Sequence, residues 1–295
     1  MSQYSIKDLE KLTGVKAHTI RIWEKRYGIV QPERTETNIR TYSNCDLKRL
    51  LNISILNKRG YRISSLAKLS VEELNERVMN LMSDHNAYDT QIENLIMAMI
   101  DMNETRFEKT LSNAVIEMGF EETLVRIVYP FFFKTGILWQ TGAISPAQEH
   151  FVSNLVRQKI ISAIDHLENK YPPNAKLFIL FLHEEEQHEL GLLFFHYLIK
   201  KVGHRIIYLG QSTPIAEVVK TAELHEPDFL FTSFTTPIPD IDLSNYLQKL
   251  QEMFPGKGIY VTGLQLTDGL SNIPGTIKYI KNPQDFKQEL INLLR

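Results

Sequence analysis

Apolar residues recur at three-to-four spacing through most of the first 170 positions and then give way to short strand-like runs, so the chain reads as a helical part followed by an alternating one. Ser5 is placed to cap a helix holding Leu9 and Leu12, Gly14 to end it, and a second helix runs from about Ala17 to Tyr27. Two short helices about a glycine turn predict a helix-turn-helix. A polar, irregular run to Thr41 comes next, then a helix from Ser43 to Lys58, a stop at Gly60 and a short helix after Ser64. From about Val71 to Lys170 the period is helical, with breaks expected at Gly119, at Gly136 and from Gly142 to Pro146, which predicts one bundle. Tyr171-Pro172-Pro173 is the clearest boundary signal. Beyond it Lys176 to His183, Arg205 to Leu209, Phe229 to Ser233, Ile259 to Thr262 and Ile277 to Ile280 read as strands separated by amphipathic helices. That alternation predicts a parallel sheet covered on both faces.

With 295 residues and 43% hydrophobic content the chain can build two or three cores, which excludes disordered and fibrous classes. Apolar stretches such as Leu177 to Leu182 and Tyr129 to Phe133 fall far short of the roughly 20 residues of a membrane span. Met1 to Glu10 is polar, unlike a signal sequence, so no membrane partner and a cytoplasmic location are expected. The single cysteine, Cys45, rules out intramolecular disulfides and Cys-rich zinc sites. Charge changes the picture most. Residues 1–70 hold 14 Lys and Arg against 6 Asp and Glu, a net +8 that leaves −10 for the rest of a chain whose total is −2. A basic head on an acidic body suits a nucleic-acid-binding module joined to something that should avoid the polyanion.

Within that head stand Thr19-Ile20-Arg21-Ile22-Trp23-Glu24, Arg26-Tyr27-Gly28, Pro32, Arg34 and Arg40-Thr41-Tyr42-Ser43. In this order they resemble the winged helix-turn-helix of the MerR family of transcriptional regulators. A recognition helix needs small polar and cationic residues early to reach bases and phosphates, while Ile20 and Trp23, three apart, face the core. Thr19 and Arg21 are the expected base or phosphate contacts, and Arg40 and Tyr42 the wing residues gripping the backbone. Arg26 is a further candidate; for Arg26 and Arg34 a plain surface role is equally open.

The second constellation, Glu186-Gln187-His188-Glu189-Leu190-Gly191, follows the first expected strand, where ligands approach such sheets. It resembles the D-x-H-x-x-G signature of cobalamin-binding domains, with Glu186 in place of the aspartate. The resemblance implies that His188 ligates cobalt from below while Glu186 holds its other ring nitrogen, and Gly191 allows close backbone approach. A carboxylate so placed fixes the imidazole tautomer and raises its basicity. The family's S-x-L and Gly-pair elements have counterparts in Ser233-Phe234-Thr235, after 41 intervening residues, and Thr262-Gly263, after 26 more. By resemblance Ser233, Thr235 and Gly263 line the slot for the cofactor's nucleotide tail; Thr235 replaces Leu and Thr262 replaces Gly.

In the bundle, Trp139 is followed after nine residues by Glu149-His150. This resembles the W-x9-E-H signature of CarH-like and LitR-like regulators, MerR-type proteins that bind adenosylcobalamin and respond to light. There the Trp covers the cofactor's upper face and the Glu-His pair lies near the upper ligand; the light-sensing members carry a His after the Trp, where this chain has Gln140. Glu149 and His150 also suit the first turn of a helix that Ser145 caps and Pro146 starts.

Enzymatic readings fit the spacing poorly. His183 and His188 stand five apart, not the four of H-E-x-x-H, and Leu209-Gly210-Gln211-Ser212 lacks the glycines and lysine of a phosphate loop. The expectation is a multidomain α and α/β protein: a winged helix-turn-helix over 1–72, a helical bundle capping cobalamin over 73–171, and a flavodoxin-like cobalamin-binding domain over 172–295. It would be a regulator, a repressor, binding a double-stranded DNA operator, self-associating as dimer or tetramer, and controlled by adenosylcobalamin and light. The alternative is a regulator of the same lineage that has lost the cofactor and senses another ligand or a protein.

Overall fold

A computed structural model describes residues 4–34, 38–58, 60–81, 88–140, 144–235, 242–266, 275 and 277–295, apart from the side chains of 11, 75, 78–81, 137, 139 and 140. The chain forms two compact units, Met1–Leu155 and Val156–Arg295.

In the head, α1 (Ile6–Thr13) is opened by a reciprocal capping box between Ser5 and Asp8 and closed by Gly14 at φ 71°. α2 (Ala17–Tyr27) buries Ile20 and Trp23 and ends at Gly28. The run expected to be irregular contains a wing: β1 (Glu33–Arg34) pairs antiparallel with β2 (Arg40–Thr41). Tyr4 and Tyr42 then exchange backbone hydrogen bonds of 2.8 and 2.9 Å, which ties the chain start to the wing. Ser43 and Asp46 make a second capping box for α3 (Asn44–Lys58), and Ser70 with Glu73 a third for α5 (Val71–Leu81), after the short α4 (Ile63–Leu66).

The bundle holds α6 (Tyr88–Ile100), α7 (Glu104–Met118), α8 (Phe120–Thr123), one π turn over Leu124–Val128, α9 (Tyr129–Gln140) and α10 (Pro146–Asp165). Every residue of α6 from Ile92 to Ile100 is buried, as befits a helix packed on all sides. Gly119 breaks the chain at φ 84° as expected. Gly136 does not: it lies inside α9, where burial of Phe131, Thr135 and Leu138 outweighs the roughly 1 kcal/mol helix penalty of a glycine.

The head and the bundle up to Leu155 share the first unit. α3 lies against α6, with Lys58 Nζ 3.3 Å from Glu93 Oε1 and a second ion pair between Lys48 and Asp101. Glu93 is buried, and its other oxygen has no hydrogen-bond partner. Burial pushes its carboxyl up to about 7, against the pull of Lys58 and Lys134 and with a further push from Asp89. The folded chain therefore holds this proton up to about pH 7 while the unfolded chain releases it near 4.5, so this unit's stability falls as pH rises through that window. Glu93→Gln is expected to flatten that slope and to stabilise the unit at pH 8 by roughly 3 kcal/mol, read by thermal unfolding at pH 5 and pH 8.

In the second unit five parallel strands, β3 (Leu177–Phe181), β4 (Arg205–Gly210), β5 (Phe229–Ser233), β6 (Gly258–Thr262) and β7 (Ile277–Tyr279), lie in the order β4-β3-β5-β6-β7. This is the flavodoxin-like order, with α11 (Leu190–Val202), α12 (Ile215–His225), α13 (Leu243–Met253) and α14 (Pro283–Asn292) as crossovers and end helix. One face packs Ile179, Phe181 and Leu230 against Val218, Leu247 and Leu250 of α12 and α13. On the other, Phe231 and Tyr260 meet Phe195 of α11 and Phe286 of α14, with ring centroids 4.6 to 5.5 Å apart. Strand order reverses about β3, so its carboxyl end is the switch point where such sheets bind ligands. Among the described residues no helix is long and apolar enough to cross a membrane.

Candidate functional site

On the head, α2 exposes Arg21, Lys25 and Arg26 and leaves Thr19 half-buried, while Trp23 belongs to the core. Arg34 is exposed on β1; Arg26 lies 5.4 Å from the centre of the Tyr27 ring. Glu24 joins wing to helix: its Oε1 accepts from Arg40 Nε at 3.1 Å and its Oε2 from the Tyr42 hydroxyl at 3.3 Å. Tyr42 is only 1% exposed, and burial, then Glu24, pushes its hydroxyl up to about 12. The grip on the DNA backbone expected of Tyr42 has no exposed ring behind it; its side chain packs inside the head. Sequence reasoning missed Glu24, although its being the sole acid in α2 was a usable signal.

In the bundle, Ser145 and Gln148 form the capping box of α10, by bonds of 2.9 and 3.3 Å. In the next positions the Glu149 carboxylate takes His150 Nδ1 at 2.8 Å and the Ser153 hydroxyl, leaving His150 exposed. Trp139 and Gln140 are on α9, and their side chains lie outside the described residues.

In the α/β unit the loop after β3 holds the expected pair. Glu186 is fully buried, and its Oε1 accepts from His188 N at 3.0 Å and from His188 Nδ1 at 2.7 Å. Its Oε2 accepts from Thr235 N at 3.0 Å, so the E-x-H and S-F-T segments, 49 residues apart, meet on one carboxylate. With its proton on Nδ1, the His188 ring presents Nε2 as its lone-pair nitrogen, and the side chain is 58% exposed. Ser233 is buried at the end of β5. Gly263, at φ 118°, is a position only glycine fills: a Cβ there would stand 2.2 Å from Phe234 O and 2.6 Å from Phe234 N. Thr262 turns its hydroxyl onto Ile280 O at 3.0 Å, which accommodates the departure from glycine. At Gly191, in the first turn of α11, a Cβ would meet no atom within 4 Å, so packing does not require a glycine there.

A half-exposed imidazole held through Nδ1 by a buried carboxylate is a donor set that fits a cobalt ion, and the glycine-tight turn at Gly263 holds the adjoining loop in place. His183 does not join it: the ring is buried and stacks on Phe234 at 5.6 Å, and the described residues contain no group of three or more metal-ligating side chains. Sequence reasoning also missed Glu189, whose partners Arg157 and Tyr208 are too distant in sequence to leave a spacing signal.

Residues 4–71 match the family described as MerR HTH family regulatory protein, and residues 91–162 match the B12 binding domain. The chain is 27% identical to the HTH-type transcriptional repressor CarH of Myxococcus xanthus over 267 residues, 88% of each protein. It is 25% identical to the repressor CarA of the same organism, over 78% of this chain and 75% of CarA. Among solved structures, the monomethylamine corrinoid protein of Methanosarcina barkeri shares the fold, with a TM-score of 0.57 at 14% identity, over 74% of this chain and 99% of that one. The chain thus carries a MerR-type helix-turn-helix segment and a B12-binding segment, and over most of its length it is similar to the repressors CarH and CarA.

Proposed function

We propose that this regulator is a repressor whose hold on its operator is set by adenosylcobalamin, with His188 as the cobalt ligand. The observation that carries the reading is the buried Glu186 carboxylate holding His188 Nδ1 at 2.7 Å. Gly191, Ser233, Thr235 and Gly263 would hold the nucleotide tail, and Trp139, Glu149 and His150 would cover the upper face. Bound adenosylcobalamin supplies a cobalt–carbon bond that light can cleave. The chain's own part is to bind and orient: Glu186 keeps the imidazole proton on Nδ1, and the loop after β5 anchors Glu186 through Thr235 N–H. Self-association as dimer or tetramer would bring several basic heads to one DNA and raise affinity by multivalency. In this reading the chain acts in the cytoplasm and catalyses no reaction.

On the DNA side, Arg21, exposed on α2, and Arg40, held by Glu24, are the contacts proposed, with Thr19 and Arg26 beside them. Arg21→Ala is expected to weaken operator binding by about 1–3 kcal/mol if the contact is to a base. A contact to phosphate would instead lower the salt slope by about one while affecting all sequences alike. Titrations of operator and unrelated duplex at two salt concentrations distinguish these; unchanged affinity on both removes Arg21 from the interface.

A further inference from the structure

The residue after His188 is held as firmly as His188 itself. Glu189 is the N-cap of α11, is 7% exposed, and accepts from Arg157 Nε of α10 at 2.5 Å and from the Tyr208 hydroxyl of β4 at 3.0 Å. Burial and the neighbouring Glu189 raise the Tyr208 hydroxyl above its ordinary range, so it stays a donor. His196, one face further along α11, stacks on Tyr208 at 5.1 Å and is pushed down to about 4 by burial and Lys200, so it adds no charge. Lys200 of α11 makes a second tie, donating to Ile164 O in the last turn of α10 at 3.0 Å. The two ties grip α10 seven residues apart, about 10 Å along its axis, which fixes its position and its rotation on α11.

A buried carboxylate is costly to desolvate, and an apolar residue would pack α10 on α11 at least as well. What an ion pair adds is a specified register, and here it is set one residue from the proposed cobalt ligand. The other end of the same loop is tied to the turn after β4, where Ser212 N donates to Glu186 O at 3.1 Å. The loop from Glu186 to Glu189 is thus strung between the sheet and α10.

We propose that Arg157, Glu189 and Tyr208 form a latch that couples the His188 loop to α10, making Arg157 and Glu189 positioning residues for the cofactor response. The idea rests on the cobalamin reading for its purpose but not for its geometry. A shift of His188 would be felt at Arg157, in the C-terminal half of α10, a helix whose first turn carries Glu149.

Hydrogen exchange on the full-length apoprotein, and again after adding adenosylcobalamin in the dark, tests the latch. In the apoprotein Arg157→Ala should speed exchange of residues 186–193 and 157–165 together, by about tenfold or more, with Arg157→Lys restoring much of the protection. Glu189→Gln, which keeps shape and an acceptor, should give a smaller change of the same pattern. With adenosylcobalamin, the native chain should gain protection in both segments and Arg157→Ala only in 186–193. Faster exchange confined to 157–165, or ligand protection that still reaches α10 undiminished in Arg157→Ala, overturns the proposal. If the native chain binds no cobalamin, the cofactor reading falls, and the apoprotein comparison alone decides the latch.

Discussion

Gly263→Ala is expected to cost the C-terminal domain more than about 4 kcal/mol, enough to leave it unfolded or nearly so. The reason is local and rigid. The position has φ 118°, and the added Cβ would overlap the carbonyl and amide of Phe234, which are backbone atoms and not the end of a flexible side chain. Those atoms are fixed from other directions too: Phe234 N donates to Thr262 O at 2.9 Å, and Phe234 O accepts from Gln265 N at 3.1 Å. Relief would need the loops after β5 and β6 to part, breaking these bonds and moving Thr235 N–H away from Glu186. Thermal unfolding of the variant checks this, and a transition for the C-terminal domain at the native temperature would contradict it.

The second large effect is at Glu186. Both its oxygens face donors: His188 N and Nδ1 on one, Thr235 N on the other. Glutamine keeps the volume but replaces one oxygen by an NH2 group, so in either orientation a donor meets a donor. A buried donor left without an acceptor costs about 1–3 kcal/mol. With its amide turned toward His188 it would also favour the tautomer that places the lone pair on Nδ1. Partners of this kind are worth about 10- to 100-fold in metal affinity. Glu186→Gln should therefore weaken cobalamin binding by that factor in an absorption titration, with the protein still folded; undiminished affinity would show that the carboxylate does not orient the ligand.

How much of this was legible in the sequence depends on whether the determinant was local. Ser5, Ser43 and Ser145 carry their capping partners three residues on, so helix starts could be read directly, and the β-branched and aromatic runs marked all five strands of the sheet to within about two residues. Gly136 misled because burial of its neighbours on α9, a tertiary effect, outweighs its propensity. The wing was legible only through the family resemblance, at Arg40 and Tyr42, because strands of two residues leave no period to detect. Within the candidate site, Glu186 and His188 lie two apart and were visible as a pair. Tyr42 was expected to grip the DNA backbone from the wing, and only the fold shows it turned inward onto Glu24. Arg157 and Glu189 are 32 residues apart on different elements, beyond the reach of any spacing rule.

The measurement that bears most directly on the account is a dark titration of the folded apoprotein with adenosylcobalamin, followed by visible absorption and gel filtration, with His188→Ala alongside. The account predicts stoichiometric binding with the spectrum of a histidine-ligated cobalt, a change in oligomeric state on binding, and loss of that spectrum in His188→Ala. No binding by the folded native chain, or an unchanged spectrum in His188→Ala, would contradict it.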